Sequence, residues 1–229
     1  MNIPPSKKKF NSKKLRESYN RIYKKNPIKE SEEHYRWIID VLETKKGDRI
    51  LDVACGGGYL LKEAKNRGLD SIGIDISIEA LRIVEQQPTK TNVICGDAEA
   101  LPFQGESFEV ITNLGSLEHF ISPSKGLHEM HRVLKTGGRA AFLLPNSYFI
   151  LTIWNVFKTG ATGRTTEQEI DRWATKEDWR VFLENHGFQI KNVLKYNYKS
   201  AEASIKYRFL RPFIPLNLSY CFLYLCSKP

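Results

Sequence analysis

The chain has 229 residues, 41% hydrophobic and 27% charged, enough to bury the core of one α/β-sized domain and too apolar for a disordered chain. Its four cysteines, Cys55, Cys95, Cys221 and Cys226, form no CxxC pair and have no histidine cluster near them, so no metal and no disulfide framework are expected, and a reducing, cytoplasmic setting is. The net charge of +9 is lopsided: residues 1–25 hold nine Lys/Arg against Glu17 alone, and the remainder is close to neutral, which weakens any argument from overall charge to nucleic acid.

In chain order, residues 1–11 read as disordered, and the Lys-rich start, with no apolar run behind it, does not read as a secretory signal. From Ser12, Leu15, Tyr19, Ile22 and Tyr23 form one stripe of a helix that Pro27 ends. A second helix is expected from Ser31 to Glu43. A regular alternation follows: strand Arg49–Ala54, helix Tyr59–Arg67, strand Ser71–Asp75, helix Ile78–Gln86, strand Asn92–Cys95, strand Phe108–Thr112, helix Ser124–Leu134, the turn Lys135–Gly138, and strand Gly138–Leu144. Short apolar runs separated by helical segments indicate parallel strands with crossover helices. After Pro145 the rhythm breaks. Phe149, Ile150, Ile153, Trp154 and Phe157 suggest an apolar helical face, and a polar stretch runs from Thr159 to Thr166. A helix from Lys176 to His186 and strands Phe188–Tyr196 and Tyr220–Cys226 close the pattern. Residues 146–172 and 197–219 stand out as irregular insertions. Phe213–Cys226 is the nearest approach to a membrane span and is too short for one.

The chemistry starts at Ile50-Leu-Asp-Val-Ala-Cys-Gly-Gly-Gly-Tyr59, where a strand ends, three glycines follow and a helix begins. Glycines there let a backbone approach a ligand closely. A dinucleotide fingerprint needs a small residue at a third position, which Leu61 occupies. Asp52 stands just before the glycines, where a carboxylate suits an ammonium and a sulfonium better than a pyrophosphate. Asp75, in Gly73-Ile-Asp-Ile-Ser77, ends the next strand at the distance from the glycines expected of a ribose-binding acid. The other role open to it is helix N-cap.

Two more segments follow in order, Gly96-Asp-Ala-Glu-Ala-Leu-Pro-Phe103 and Asn113-Leu-Gly-Ser-Leu-Glu-His-Phe120. With LDVACGGG, GIDIS and VLKTGGRAAFLLPN they make five motifs in register over residues 45–146, and here the chain resembles the class I S-adenosylmethionine-dependent methyltransferases, the branch acting on small molecules and lipids. RWATKEDWRVFLENHGF is similar to that family's late helix and strand. The resemblance implies a Rossmann-like α/β fold, doubly wound, with a seven-stranded sheet that is mostly parallel and has its last strand antiparallel. It implies S-adenosylmethionine as cofactor and S-adenosylhomocysteine as its product. Asp52, Ala54, Gly56 and Gly58 would hold the methionine part, with Cys55, where a small polar residue is usual, contributing its backbone. Asp75 would bind the ribose hydroxyls, Ile76 would pack on adenine, and Asp97 would take the adenine amino group with Ala98 beside it. Asn113 and Leu114 would line the methionine and sulfonium side. Tyr19 or Tyr23 would either close over the cofactor or simply pack their helix.

Residues 1–29 are then a basic arm and helix, and 30–229 the methyltransferase domain, with 146–172 as a substrate cap. His119 is the candidate general base, being able to titrate near neutrality; holding the site together is its competing role. No Asn/Asp-Pro-Pro-aromatic motif for exocyclic amines is present. The expected acceptor is a small molecule or lipid-like compound. The basic N-terminal helix could touch an anionic membrane, with Lys206, Arg208 and Arg211 adding to such a surface. Nucleic acid is not an expected partner, although the basic arm motivates RNA methylation as one alternative. A non-catalytic binding protein of the same fold is another.

Overall fold

The structure is a computed structural model describing residues 11–162, 168–197 and 209–229. The expectations of disorder at residues 1–10 and of a basic surface at Lys206 and Arg208 lie outside the described residues.

Seven strands form one sheet: β1 (Arg49–Val53), β2 (Asp70–Asp75), β3 (Asn92–Cys95), β4 (Phe108–Leu114), β5 (Leu134–Pro145), β6 (Gln189–Tyr196) and β7 (Cys221–Ser227). Their order is β3-β2-β1-β4-β5-β7-β6. The pairs among β1 to β5 are parallel, and β7 runs antiparallel to both of its neighbours. This is the sheet the motifs imply. The order reverses between β1 and β4, and a crevice opens at that point beyond the strands' carboxyl ends.

Period-two alternation sorts the core. Ile50, Val110, Ala141 and Leu223 face one side of the sheet, and their neighbours Leu51, Ile111, Phe142 and Tyr224 face the other. The first side is covered by α2 (Glu32–Val41) and α3 (Tyr59–Asn66), the second by α5 (Pro123–Val133) and α7 (Lys176–Glu184). Helix α4 (Ile78–Glu85) packs beside β2 and β3. The predicted turn Lys135–Gly138 lies inside β5. Leu134 pairs with Phe108 and Arg139 with Val110, so residues 135–138 bulge between two in-register stretches.

Local chemistry sets the helix starts. Asn11 caps α1 (Ser12–Lys25) by accepting from the Lys14 amide, Ser31 caps α2, and Ser77 caps α4. Thr175 and Asp178 form a reciprocal capping box at α7. Trp179, fully buried, anchors α7 by donating its indole N–H to the Pro145 carbonyl at 2.8 Å. Trp179→Ala leaves a large cavity and that carbonyl unpaired, and is expected to cost about 3–5 kcal/mol in chemical denaturation; a loss below about 1 kcal/mol would contradict this packing.

The predicted apolar helix of the first insertion exists as α6 (Ile150–Thr159), but none of its residues is buried, and Trp154 and Phe157 point outward. Phe149 and Ile150, at its start, pack instead with Ile214 and Leu218 of the second insertion. Among the described residues no helix is long and apolar enough to cross a membrane, and the four cysteines are free.

Candidate active site

The glycine loop closes on Asp75. Oδ2 of this carboxylate accepts from the Gly56 amide at 2.8 Å, and Oδ1 accepts from the Ser77 amide at 2.8 Å. It thus ties the end of β1 to the start of α4. The helix cap is Ser77, not Asp75. Gly56 (φ +53°) and Gly58 (φ +70°) adopt left-handed backbone, as does Ala54 (φ +61°), a strained choice for a residue with a Cβ. A Cβ at Gly56 would strike the Tyr23 hydroxyl.

Tyr23 belongs to α1, which lies across the crevice. Leu15, Ser18 and Tyr23 are buried there. The Ser12 hydroxyl donates to Asp97 Oδ2 at 2.8 Å, and Ser77 Oγ bonds Asn20 Oδ1 at 2.8 Å. Under this helix lies a pocket lined by Tyr19, Tyr23, Ala54, Asp75, Ile76, Asp97, Ala98, Leu114 and His119 among others. The room left is about 100 Å³. At on the order of 10 Å³ per water by this measure, that holds a handful of waters.

The lining has a definite chemistry. It carries the carboxyls of Asp75, Asp97 and Glu99, and among the described residues no Lys or Arg. A pyrophosphate would be repelled, whereas a ligand bearing ammonium and sulfonium groups, hydroxyls and an amino group finds acceptors throughout. Ile74, Ile76 and Ala98 offer an apolar flank for a base. The Ser116 hydroxyl, also in the lining, is buried without a partner among the described residues. The donors and acceptors present therefore fit S-adenosylmethionine and not a dinucleotide.

Other residues expected at the ligand lie outside the pocket lining. Asp52 is buried and accepts from Thr112 Oγ1 at 2.7 Å. Asn113 donates to the Val53 carbonyl at 3.0 Å and accepts from the Leu117 amide at 3.0 Å, so both ends of its amide are spent bracing β1 against the turn Leu117–His119. The Cys55 side chain packs with Leu61, Leu81 and Val84. Gly58 faces Val84. Asp52, Cys55, Gly56, Gly58 and Asn113 are not in the pocket lining; they shape the loop that is.

Burial pushes Asp52 up to about 7, against the Thr112 hydrogen bond, with repulsion from Asp75 adding to the rise. Burial likewise lifts Asp75 to about 6, against the amides of Ser77, Gly56 and Ile76. Folded-state values above the unfolded value of about 3.9 favour folding below that pH, and the benefit is lost as pH rises through about 6 to 7.

His119 is buried at the pocket's edge. Its Nδ1 lies 2.5 Å from the Ile170 carbonyl, which fixes the proton there and leaves Nε2 as the acceptor. Burial lowers its pKa, with Asp171 and the Ile170 hydrogen bond opposing. The ring is thus neutral near pH 7. Arg172 secures this corner by donating to the carbonyls of Glu118, Phe120 and Ile121. Nothing in the sequence around Asp171-Arg172-Trp173 marks that role, because its partners lie some fifty residues away.

A second, larger cavity of about 780 Å³ adjoins the first and shares Leu114, Gly115 and His119 with it. Its walls include Glu30, Tyr35, Glu118, Phe149, Leu151, Asp171, Trp173, Tyr196 and Tyr220. Of these, the motif Asn113–Phe120 contains Glu118 and the expected cap 146–172 contains Phe149, Leu151 and Asp171.

Residues 51–142 match the family model described as a methyltransferase domain. The chain is 29% identical over 151 residues to a demethylmenaquinone methyltransferase of Paenarthrobacter aurescens, covering 65% of this chain and 59% of the relative. It is 29% identical over 189 residues to a ubiquinone biosynthesis O-methyltransferase of Alkalilimnicola ehrlichii, covering 75% and 76%. Against three of the curated relatives it matches, the chain spans only 59%, 44% and 60% of their length. The Burkholderia thailandensis 1,6-didemethyltoxoflavin-N1-methyltransferase, solved with its substrate and S-adenosylhomocysteine, superposes with a TM-score of 0.69 at 14% identity, covering 99% of this chain and 94% of that one. The chain is thus similar over residues 51–142 to a methyltransferase domain, within a fold shared with a methyltransferase that binds S-adenosylhomocysteine.

Proposed function

We propose that this chain transfers a methyl group from S-adenosylmethionine to a small acceptor with an aromatic or apolar body. The observation that carries the reading is the junction of the two cavities at Leu114, Gly115 and His119. A donor in the first can present its reactive end to an acceptor in the second. Asp75 would hold the ribose hydroxyls and Asp97 the adenine amino group. Ile76 and Ala98 would flank the base, and the loop from Ala54 to Gly58, with Leu114, would hold the methionyl part. When bound, S-adenosylmethionine supplies a methyl group already activated on a sulfonium, so positioning does much of the catalytic work. His119 Nε2 takes the proton that an acceptor hydroxyl or amine gives up. Of the segment 146–172, the described residues Phe149, Leu151, Thr152 and Asn155 would act as the cap, since they wall the second cavity.

The names of two relatives point to quinone-type rings, and the aromatic walls of the second cavity suit an acceptor of that shape. Contact of α1 with a membrane has less to rest on, because the apolar stripe of the helix faces the pocket and only its charged face is left outward.

Incubation with methyl-labelled S-adenosylmethionine and a panel of small phenols and amines should release S-adenosylhomocysteine above a no-protein control. Binding of the cofactor with no transfer to any acceptor would favour a non-catalytic role. Cofactor affinity is also expected to fall as pH drops below about 6, because the protonated form of Asp75 is a poorer acceptor. The loss approaches tenfold per pH unit. Calorimetry from pH 5 to pH 8 checks this, and a flat profile would contradict a direct role for Asp75.

A further inference from the structure

Every buried carboxylate at the glycine loop has its partners. Asp75 has the amides of Gly56 and Ser77, and Asp52 has Thr112. Glu118 differs. It is 5% exposed, its Oε1 lies 3.6 Å from His119 Nε2, beyond hydrogen-bond length, and its Oε2 has no partner among the described residues. A buried carboxyl oxygen left unpaired costs about 1–3 kcal/mol or more. Packing alone gives no reason to keep it. The side chain lines the second cavity, beside the junction with the first.

The rest of that cavity reinforces one ligand chemistry. Glu30 and Asp171 add two further carboxyls to the wall, and among the described residues the lining contains no Lys or Arg. Glu30 is held in place by the Tyr196 hydroxyl at 2.8 Å. Tyr35, Trp173 and Tyr196 supply aromatic faces, which attract cations as well as flat apolar rings. A carboxylate or phosphate on the acceptor would meet three acids and no described counter-charge.

We propose that Glu118 anchors an amine of the acceptor, whose aromatic or apolar body lies against Tyr35, Trp173 and Tyr196. An amine brings N–H donors for the idle Oε2 and a positive charge that offsets the surrounding carboxyls. Burial, against a hydrogen bond from its own backbone amide, holds Glu118 up at about 8, and an arriving ammonium favours its ionised form. The acceptor class narrows from any small apolar compound to amine-bearing ones, and the described walls disfavour anionic acceptors. This rests on the reading of the second cavity as the acceptor site.

The test uses three probes sharing a phenol ring, tyramine, 4-ethylphenol and 4-hydroxyphenylacetate, titrated into the full chain saturated with S-adenosylhomocysteine. Tyramine should bind at least about tenfold tighter than either of the others, the effect of one charge-assisted hydrogen bond. Glu118→Gln should abolish that preference and leave S-adenosylhomocysteine affinity unchanged. No tyramine binding, equal or better binding of 4-hydroxyphenylacetate, or a preference that survives in E118Q would each overturn the proposal. If E118Q does not fold, the three-probe comparison on the unmodified chain still decides. A chain that fails to bind S-adenosylhomocysteine sinks the methyltransferase reading itself, whereas one that binds it without preferring tyramine sinks only the amine assignment.

Discussion

Asp75→Ala is expected to weaken S-adenosylmethionine binding by about a hundredfold or more. Two effects combine. The substitution removes the proposed acceptor for the ribose hydroxyls, and it strips the Gly56 and Ser77 amides of their partner at 2.8 Å each. Charge-assisted hydrogen bonds of this kind are worth about 1.5–3 kcal/mol apiece. The loop between β1 and α3 loses the tie that holds its left-handed glycines in place, so the site loosens as well as losing a contact. Asp75→Asn should rescue little, because its amide nitrogen must face one of two N–H donors. Calorimetry on both variants, with thermal unfolding to show that they fold, makes the comparison. Wild-type affinity in a folded D75A protein would mean the cofactor does not use the β2 end of the crevice.

His119→Gln is expected to lower kcat by about 10²–10⁴-fold, the usual contribution of a positioned base, with S-adenosylmethionine affinity within about threefold of wild type. Three features of the ring support the proposed role. Nδ1 is committed to the Ile170 carbonyl, Nε2 is the open acceptor, and burial keeps the neutral form dominant at pH 7. A pH profile separates catalysis from bracing. At saturating S-adenosylmethionine, which removes the effect of Asp75 on binding, the wild-type kcat should fall on the acid side as His119 takes up a proton, and that limb should vanish in H119Q. A lower rate with the acid limb intact would show that His119 only supports the corner where Arg172 holds the carbonyls of Glu118, Phe120 and Ile121.

What could be read from the sequence was what local pattern encodes. The buried run Ile50–Ala54 and the glycines after it announce a strand, a turn and a helix start, and Asp75 stands at the next strand end. All of these are found where expected. The stripe of α1 was equally legible as a helix, but its destination was not. The bonds of Ser12 to Asp97 and of Asn20 to Ser77 span 85 and 57 residues, and no local signal reports such a meeting. Asp52 and Asn113 show a different limit, since their bonds within the sheet are not legible locally. Thr112 lies in register across from Asp52 on β4, and Asn113 reaches back to the Val53 carbonyl on β1. Both partners are 60 residues away in the chain. The second cavity was almost invisible for the same reason: Glu30, Tyr35, Glu118, Asp171 and Tyr196 come from separate stretches of the chain that only the fold assembles.

The most direct test is calorimetric titration of S-adenosylmethionine and S-adenosylhomocysteine into the full chain at pH 7.5. The carboxyl-lined crevice beneath α1 predicts saturable, one-to-one binding of both ligands in the micromolar range. Absence of binding to either, in a folded sample with α1 intact, would contradict the assignment of that crevice as the cofactor site.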